Sequence, residues 1–393
     1  MNTLFAIGDG LARYLGWWAS ALVRWRDPRA PVGARRLLVL ILGMPIFLLV
    51  QLGHGLCLLL DEVLFPGYRR IPLDNALVIT GIPRSGTTFM HRTLAADTDR
   101  YTTLTTWEAI LAPSILQRYM VRALARLDRL LGRPLARGLA WLTRRVAGGL
   151  DDIHEIGLEA AEEDYLCLLP AAGCFVMLLA FPAATGLQQL GHLDTAMRAT
   201  RRRRLLRFYR ACLQRHIYAD GGHRHLLSKN AAFGSWLAGL RETLPEARFI
   251  VCVRQPASAL SSQISSVSAA YQLFGVRPQS QAFQEIFLTM YADTLQHLAT
   301  TIAAWPLERA AVADTQALQA DAASCIRAIM DRLAIPETKA LSEALSALRE
   351  STAKSGHQHR IDALALDRET LEERMTPAYR QLLELPHSVA GKP

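Results

Sequence analysis

Three stretches of this chain carry residue types suited to holding an anion. In the first, Gly81-Ile82-Pro83-Arg84-Ser85-Gly86 runs into Thr87 and Thr88. Glycines let the backbone turn sharply, so successive N–H groups converge on one point, and a helix starting at Thr87 adds about half a positive charge there. Arg84 sits inside the turn, where a guanidinium can meet two oxygens of a phosphate or sulfate at once. In the second, Arg254-Gln255-Pro256 places a cation just past the apolar centre of Arg248-Phe249-Ile250-Val251-Cys252-Val253, and Ser262 follows eight residues later. In the third, His225-Leu226-Leu227-Ser228-Lys229-Asn230 brings Lys229 to the end of another apolar run. Acid gathers in the stretch 151–164, with His154, Glu155, Glu162 and Glu163, and Glu108 lies outside it.

The elements that must position these residues are short. The run 76–79 reads as a buried parallel strand, 81–86 as a tight turn and 87–94 as a helix start. The run 248–254 reads as a second buried strand with Ser262 on the helix behind it. Residues 102–110 read as a strand ending at Trp107-Glu108, and 225–230 as strand into turn. After Ser262 the chain reads as helical to Trp305, with a last strand at 310–313 and an amphipathic helix over 321–333.

The first stretch approaches the triphosphate-binding spacing G-x-x-x-x-G-K-[ST], but Thr87 fills the lysine slot. The strand 248–253 ends on arginine, where a magnesium-dependent hydrolase would need an aspartate. The string Pro83-Arg84-Ser85-Gly86-Thr87-Thr88 resembles instead the 5′-phosphosulfate loop of sulfotransferases that use 3′-phosphoadenosine 5′-phosphosulfate (PAPS), and 245–250 resembles that family's lead-in to the second strand. The resemblance spans roughly 71–379. It implies that Arg84, Ser85, Gly86, Thr87 and Thr88 hold the phosphosulfate and that Arg254 and Ser262 hold the 3′-phosphate. A loop near Lys354 and Gly356 would close over that phosphate, although the family's R-K-G string is absent there. The family further implies Glu108 as first candidate for base, the competing reading being an ion pair to a cation such as Arg92. His154 and Glu163 stand second, and Lys229 would meet charge on the bridging oxygen, although Ala231 replaces a proline common in relatives. No metal is called for.

At 393 residues and 51% apolar, the chain can bury a large core and leave material over. A net charge of +9 points to anionic partners, and no nucleic-acid signature accompanies it. Six cysteines without C-x-x-C spacing read as free thiols of a reducing compartment.

Residues 3–26 mix Leu, Trp and Arg in the manner of an interfacial amphipathic helix, and 37–60 follow without a formal charge. Arginines flank both sides of this run, and Pro45, Gly53 and Gly55 interrupt it. It is read as re-entrant or in-plane in preference to a span, with a buried core helix as the other alternative. Residues 115–131 alternate leucine with Arg118, Arg122, Arg126 and Arg129 at helical spacing, which fits a solvated arginine face or an anionic membrane equally. From 166 to 184 no charge appears, but prolines break the run, so it reads as lining for an apolar acceptor pocket or as a lid dipping into the bilayer in preference to a second crossing.

The expected architecture is therefore α/β: a P-loop-like three-layer sandwich with a central, mostly parallel sheet, a helical acceptor lid over about 113–222, and a membrane-associated N-terminal segment. Residues 1–70 form that segment and 71–393 the sulfotransferase domain. The expected function is PAPS-dependent sulfonyl transfer to an amphiphilic alcohol, with the catalytic domain on the cytoplasmic side of a membrane. The rivals are a membrane-bound kinase and a non-catalytic nucleotide-binding scaffold. Oligomeric state is not legible.

Overall fold

In the computed structural model, which describes residues 2–27, 30–135, 137–138, 141, 159–274, 276, 280–350 and 367–389, Leu77–Gly81 is the central strand, β1. Around it lie β2 (Tyr101–Thr102), β3 (His225–Lys229), β4 (Arg248–Val253) and β5 (Ala310–Asp314). All pairings are parallel and the order is β2-β3-β1-β4-β5. The chain leaves β1 for the β2 edge, returns as β3, then crosses to the other side for β4 and β5. The order thus reverses at β1, and such a switch point opens a crevice beyond the carboxyl ends of the strands.

Strand alternation divides the core in two. Leu77, Ile79, Ile250 and Cys252 face one way, against Met90, Leu94, Ile326 and Ile329; Val78, Phe249, Val251 and Val312 face the other, into a larger core with most of the helices. A parallel sheet needs both faces covered, which yields the three layers.

The helices that matter here are α1 (Asn2–Val23), α2 (Ala34–Leu64, with a π turn at Val39–Gly43), α3 (Thr87–Ala95), α4 (Thr106–Ile110), α5 (Ile115–Leu130), α6 (Ala199–Ala219), α7 (Pro256–Leu273) and α8 (Gln281–Ala303). The expected strand over 102–110 stops after two residues. Glu108 accepts from Thr105 N at 3.2 Å, and this Thr-x-x-Glu capping box starts α4 instead.

Residues of the first seventy pack into the body of the protein. Ile7, Tyr14, Trp17, Leu40 and Leu58 share one continuous core with Val78 and Val251. Tyr14 donates to the Leu169 carbonyl at 2.6 Å, and a Cβ on Gly10 would lie 2.4 Å from the Pro170 carbonyl oxygen, so α1 packs directly on backbone. At the far end of α2, Arg215 Nε lies 3.1 Å from Asp61, both fully buried, and Arg215 Nη2 lies 2.7 Å from Glu62. All six cysteines are free, five of them buried.

Candidate active site

The turn after β1 is held open by its own backbone. Gly81 has φ +142° and a Cβ there would fall 1.9 Å from the Cys252 carbonyl oxygen, so only glycine allows β1 and β4 to approach this closely. Arg84 adopts φ 67° and Gly86 φ 87°, the left-handed region that turns the chain back on itself. Thr315 Oγ1 donates within 3.0 Å of both the Ser85 and Val253 carbonyls, and Tyr291 OH donates to Pro83 O at 3.1 Å. Sequence reasoning missed both clamps, because each reaches the loop from more than two hundred residues away.

No side chain caps α3, and its first backbone bond runs from Met90 N to Gly86 O. The N–H groups of the first turn, including Thr87 and Thr88, therefore have no partner within the helix and face the loop's concavity.

Arg84 and Arg254 converge there. Arg84 Nε donates to Ser262 Oγ at 3.0 Å, and Arg254 Nη1 donates to the Arg84 carbonyl at 3.2 Å. Gly86, Thr87, Thr88, Arg84, Arg254 and Glu163 all line one cavity of about 510 Å³, well within the size of small-molecule sites. Ser85 and Ser262 are buried behind that wall, Ser85 bonded to the Ile82 carbonyl at 2.6 Å. Most of the remaining lining is apolar or aromatic, with Gln263, Thr294, Thr315 and Gln319 as polar members. Phe175, Val176, Leu178 and Leu179 come from the broken run expected to line an acceptor pocket, facing Val267, Tyr271, Phe287 and Met290 of α7 and α8.

Glu163 reaches the cavity because its segment is stitched to the chain after β2. Thr106 N donates to Ala160 O at 3.0 Å and Glu162 N to Leu104 O at 2.9 Å. Lys229 Nζ then lies 2.8 Å from Glu163 Oε1. Next door, Tyr209 OH donates to Asp164 Oδ1 at 2.9 Å, Asn230 Nδ2 bonds the same oxygen, and Tyr165 N donates to Asn230 Oδ1 at 2.9 Å. Three consecutive residues, 163–165, are thus bolted to three others, 228–230. Burial pushes the Asp164 carboxyl up to about 7, with Glu163 adding to the rise against hydrogen bonds from Ser228 and Tyr209.

Glu108 is elsewhere. It does not line the cavity, is 5% exposed, and lies 3.7 Å from Arg118, 3.4 Å from Arg122 and 3.6 Å from His216. Burial alone would raise its carboxyl, but Arg118, His216, the Thr105 N–H and Arg122 together hold it below the usual range. Glu108 thus pairs with Arg118 and Arg122 and not with Arg92. His154, Glu155, Lys354 and Gly356 lie outside the described residues.

With this geometry in view, the sulfotransferase family profile matches residues 76–339, two thirds of the chain. The chain belongs to the sulfotransferase family. Transfer of a sulfonyl group is the family's reaction, and PAPS is its typical donor. No curated protein sequence matches. Among solved structures, sulfotransferase STF1 from Mycobacterium tuberculosis H37Rv is similar at 16% identity and TM-score 0.69, over 94% of this chain and 92% of that one. Sulfotransferase STF9 from Mycobacterium avium is similar at 16% identity and TM-score 0.65, over 87% and 84%. At such identity the likeness is one of fold. Coverage of 94% leaves about 24 of 393 residues outside it, fewer than seventy, so the shared fold extends into the N-terminal helices that the sequence resemblance left out.

The residues of this sulfotransferase fit a donor charged at both ends. Uncapped N–H groups and Arg84 offer donors at one point of the cavity, and Arg254 offers a second cation beside them from the end of the neighbouring strand.

Proposed function

We propose that this sulfotransferase moves a sulfonyl group from PAPS to the hydroxyl of an apolar or amphiphilic alcohol at a membrane surface. The observation that carries this reading is the chain Arg254, Arg84, Ser262, spanning the ends of β1 and β4 beside the uncapped start of α3.

PAPS, when bound, supplies a sulfonyl group already activated as a mixed anhydride. Arg84, the Ser85–Thr88 backbone and the Thr87 and Thr88 hydroxyls hold the 5′ end, and Arg254 holds the 3′-phosphate. Ser262 fixes the Arg84 guanidinium. Glu163, inside the cavity, takes the proton from the acceptor hydroxyl, a role that the sequence alone ranks behind Glu108. Lys229 orients Glu163 and balances negative charge as the leaving phosphate departs, an electrostatic contribution worth several kcal/mol in a dry site. The walls from 175–179 and from α7 and α8 exclude water and accept a greasy alcohol. With a cytosolic donor, the cavity faces the cytoplasm and the exposed apolar side of α2 faces lipid.

The test is transfer of labelled sulfonyl from PAPS to a lipid extract and to simple apolar alcohols, with ATP and magnesium as control. Labelled, organic-soluble product supports the proposal. Donor that is bound but never turned over leaves a scaffold, and phosphoryl transfer from ATP makes the protein a kinase.

A further inference from the structure

Helix α5 is built inside out. Arg118 (1% exposed) and Asp128 (7%) turn toward the body, while Leu124 (53%), Leu127 (51%) and Leu130 (84%) turn away from it. Arg118 Nε donates to the Ala112 carbonyl at 3.0 Å and Asp128 Oδ1 accepts from Leu135 N at 2.7 Å, so the inward charges have partners. Helix α2 behaves alike. Arg36, Leu40, Met44, Gln51, His54, Leu58 and Asp61 form its buried row, while Ile46, Leu49 and Val63 are 64%, 67% and 76% exposed.

The two helices adjoin. His54 bonds Gln117, the rings of Phe65 and Tyr119 meet edge-on at 5.5 Å, and Asp61 accepts from the N–H groups of Ile115 and Leu116. Both turn leucines, isoleucines and valines outward, and exposed apolar residues gathered on adjoining helices mark an interaction surface. Its fringe is basic. Arg126, Arg129, Arg133 and Arg137 are exposed around α5 and Arg35, Arg69 and Arg70 at the ends of α2, and no exposed acid occurs among the described residues of 109–141.

We infer that α2 and α5 together form a docking face that lies flat on an anionic lipid bilayer. Leucines enter the acyl boundary and arginines meet the phosphates. A second copy of the chain is a poorer occupant, because a two-fold contact would set the arginine fringe against itself. Nor does α2 cross alone. Its buried row runs from Arg36 to Asp61, roughly 38 Å at the helical rise, so the body flanks it for its full length. Pulling it away would strip Asp61 from Arg215, both wholly buried. The inference rests on the membrane setting proposed above but on none of the proposed chemistry.

The experiment is sedimentation of the full-length protein with vesicles of phosphatidylcholine alone or mixed with phosphatidylglycerol. Binding is expected to be about tenfold or more stronger to the anionic vesicles and to weaken with salt. The pairs Leu124→Glu with Leu127→Glu, and Arg126→Glu with Arg129→Glu, should each lose about tenfold while the thermal midpoint holds. Should the leucine pair not fold, the arginine pair and the salt series decide. Equal binding to both vesicle types, binding indifferent to both pairs, or resistance to alkaline carbonate overturns the inference. So does a vesicle-free dimer that the leucine pair dissociates. Loss of donor binding with vesicle binding intact would instead overturn the catalytic proposal alone.

Discussion

Arg254 donates across 3.2 Å to the backbone carbonyl of Arg84, tying the ends of two neighbouring strands at the mouth of one cavity. The bond holds the left-handed turn at Arg84 from outside, while Thr315 and Tyr291 hold it from beneath. The loop is thus shaped before any ligand arrives, and preorganisation of this kind lowers the cost of binding.

Gly81→Ala should collapse that arrangement. Its Cβ would meet the Cys252 carbonyl at 1.9 Å, at a φ of +142°. Strain and overpacking together are expected to cost about 3 kcal/mol or more, read as a fall in the urea midpoint. A variant of wild-type stability would show that β1 and β4 do not approach this closely.

Glu163→Gln and Glu108→Gln should separate chemistry from structure. Glu163 lines the cavity, so its loss is expected to cut turnover per folded molecule about a hundredfold or more, beside some loss of stability from leaving buried Lys229 unpaired. Glu108 sits against buried Arg118, so its loss should lower stability by about 3 kcal/mol, with residual turnover per folded molecule near wild type. The reverse pattern would return the base to Glu108.

Asp164 makes turnover depend on pH. Its carboxyl, pushed up to about 7 by burial, keeps its proton under mildly acid conditions. Above that range a second negative charge appears beside Glu163 and the Lys229 ion pair, so the rate should decline as pH rises through about 7. Asp164→Asn keeps the hydrogen-bonding shape without the charge, and its pH profile should stay flat there. An alkaline decline unchanged in the variant would assign it to another group.

Two buried histidines should make the fold acid-sensitive. Burial first, then Lys229 and Arg92, lowers His91 to about 3, and burial with Arg118 lowers His216 to about 4. A depressed folded value means that stability is whole above the unfolded value of 6.5 and lost as pH falls through the folded one. Between 6.5 and about 4 the slope should approach about 1.4 kcal/mol per pH unit for each. The raised carboxyls of Asp164, Asp61 and Asp314 oppose this and His54, also lowered by burial, adds to it; the Asp164 contribution is whole below 3.8 and lost as pH rises through about 7. Urea midpoints that rise steadily from pH 6.5 down to 4 would contradict the assignment.

Strands β1 and β4 and the phosphate turn were legible because each depends on local signals: four or five apolar residues, then glycine or arginine. The end of β2 was not. Thr102 to Thr106 is rich in β-branched residues and reads as strand, yet the Thr105–Glu108 capping box prevails. The outward turn of α5 was equally hidden, since its leucine–arginine alternation fits either orientation until Ala112, His216 and Glu108 are seen around Arg118. The 163–165 to 228–230 contacts join residues more than sixty apart through single hydrogen bonds. No sequence period reports such contacts.

The most direct test of the central claim is calorimetric titration with adenosine 3′,5′-bisphosphate, the donor's desulfonated product. The account predicts tight, magnesium-independent binding, weakened by about tenfold to a hundredfold in either Arg84→Ala or Arg254→Ala, with ATP and magnesium binding far more weakly. Equal affinity in wild type and both variants, or a preference for ATP and magnesium, would contradict it.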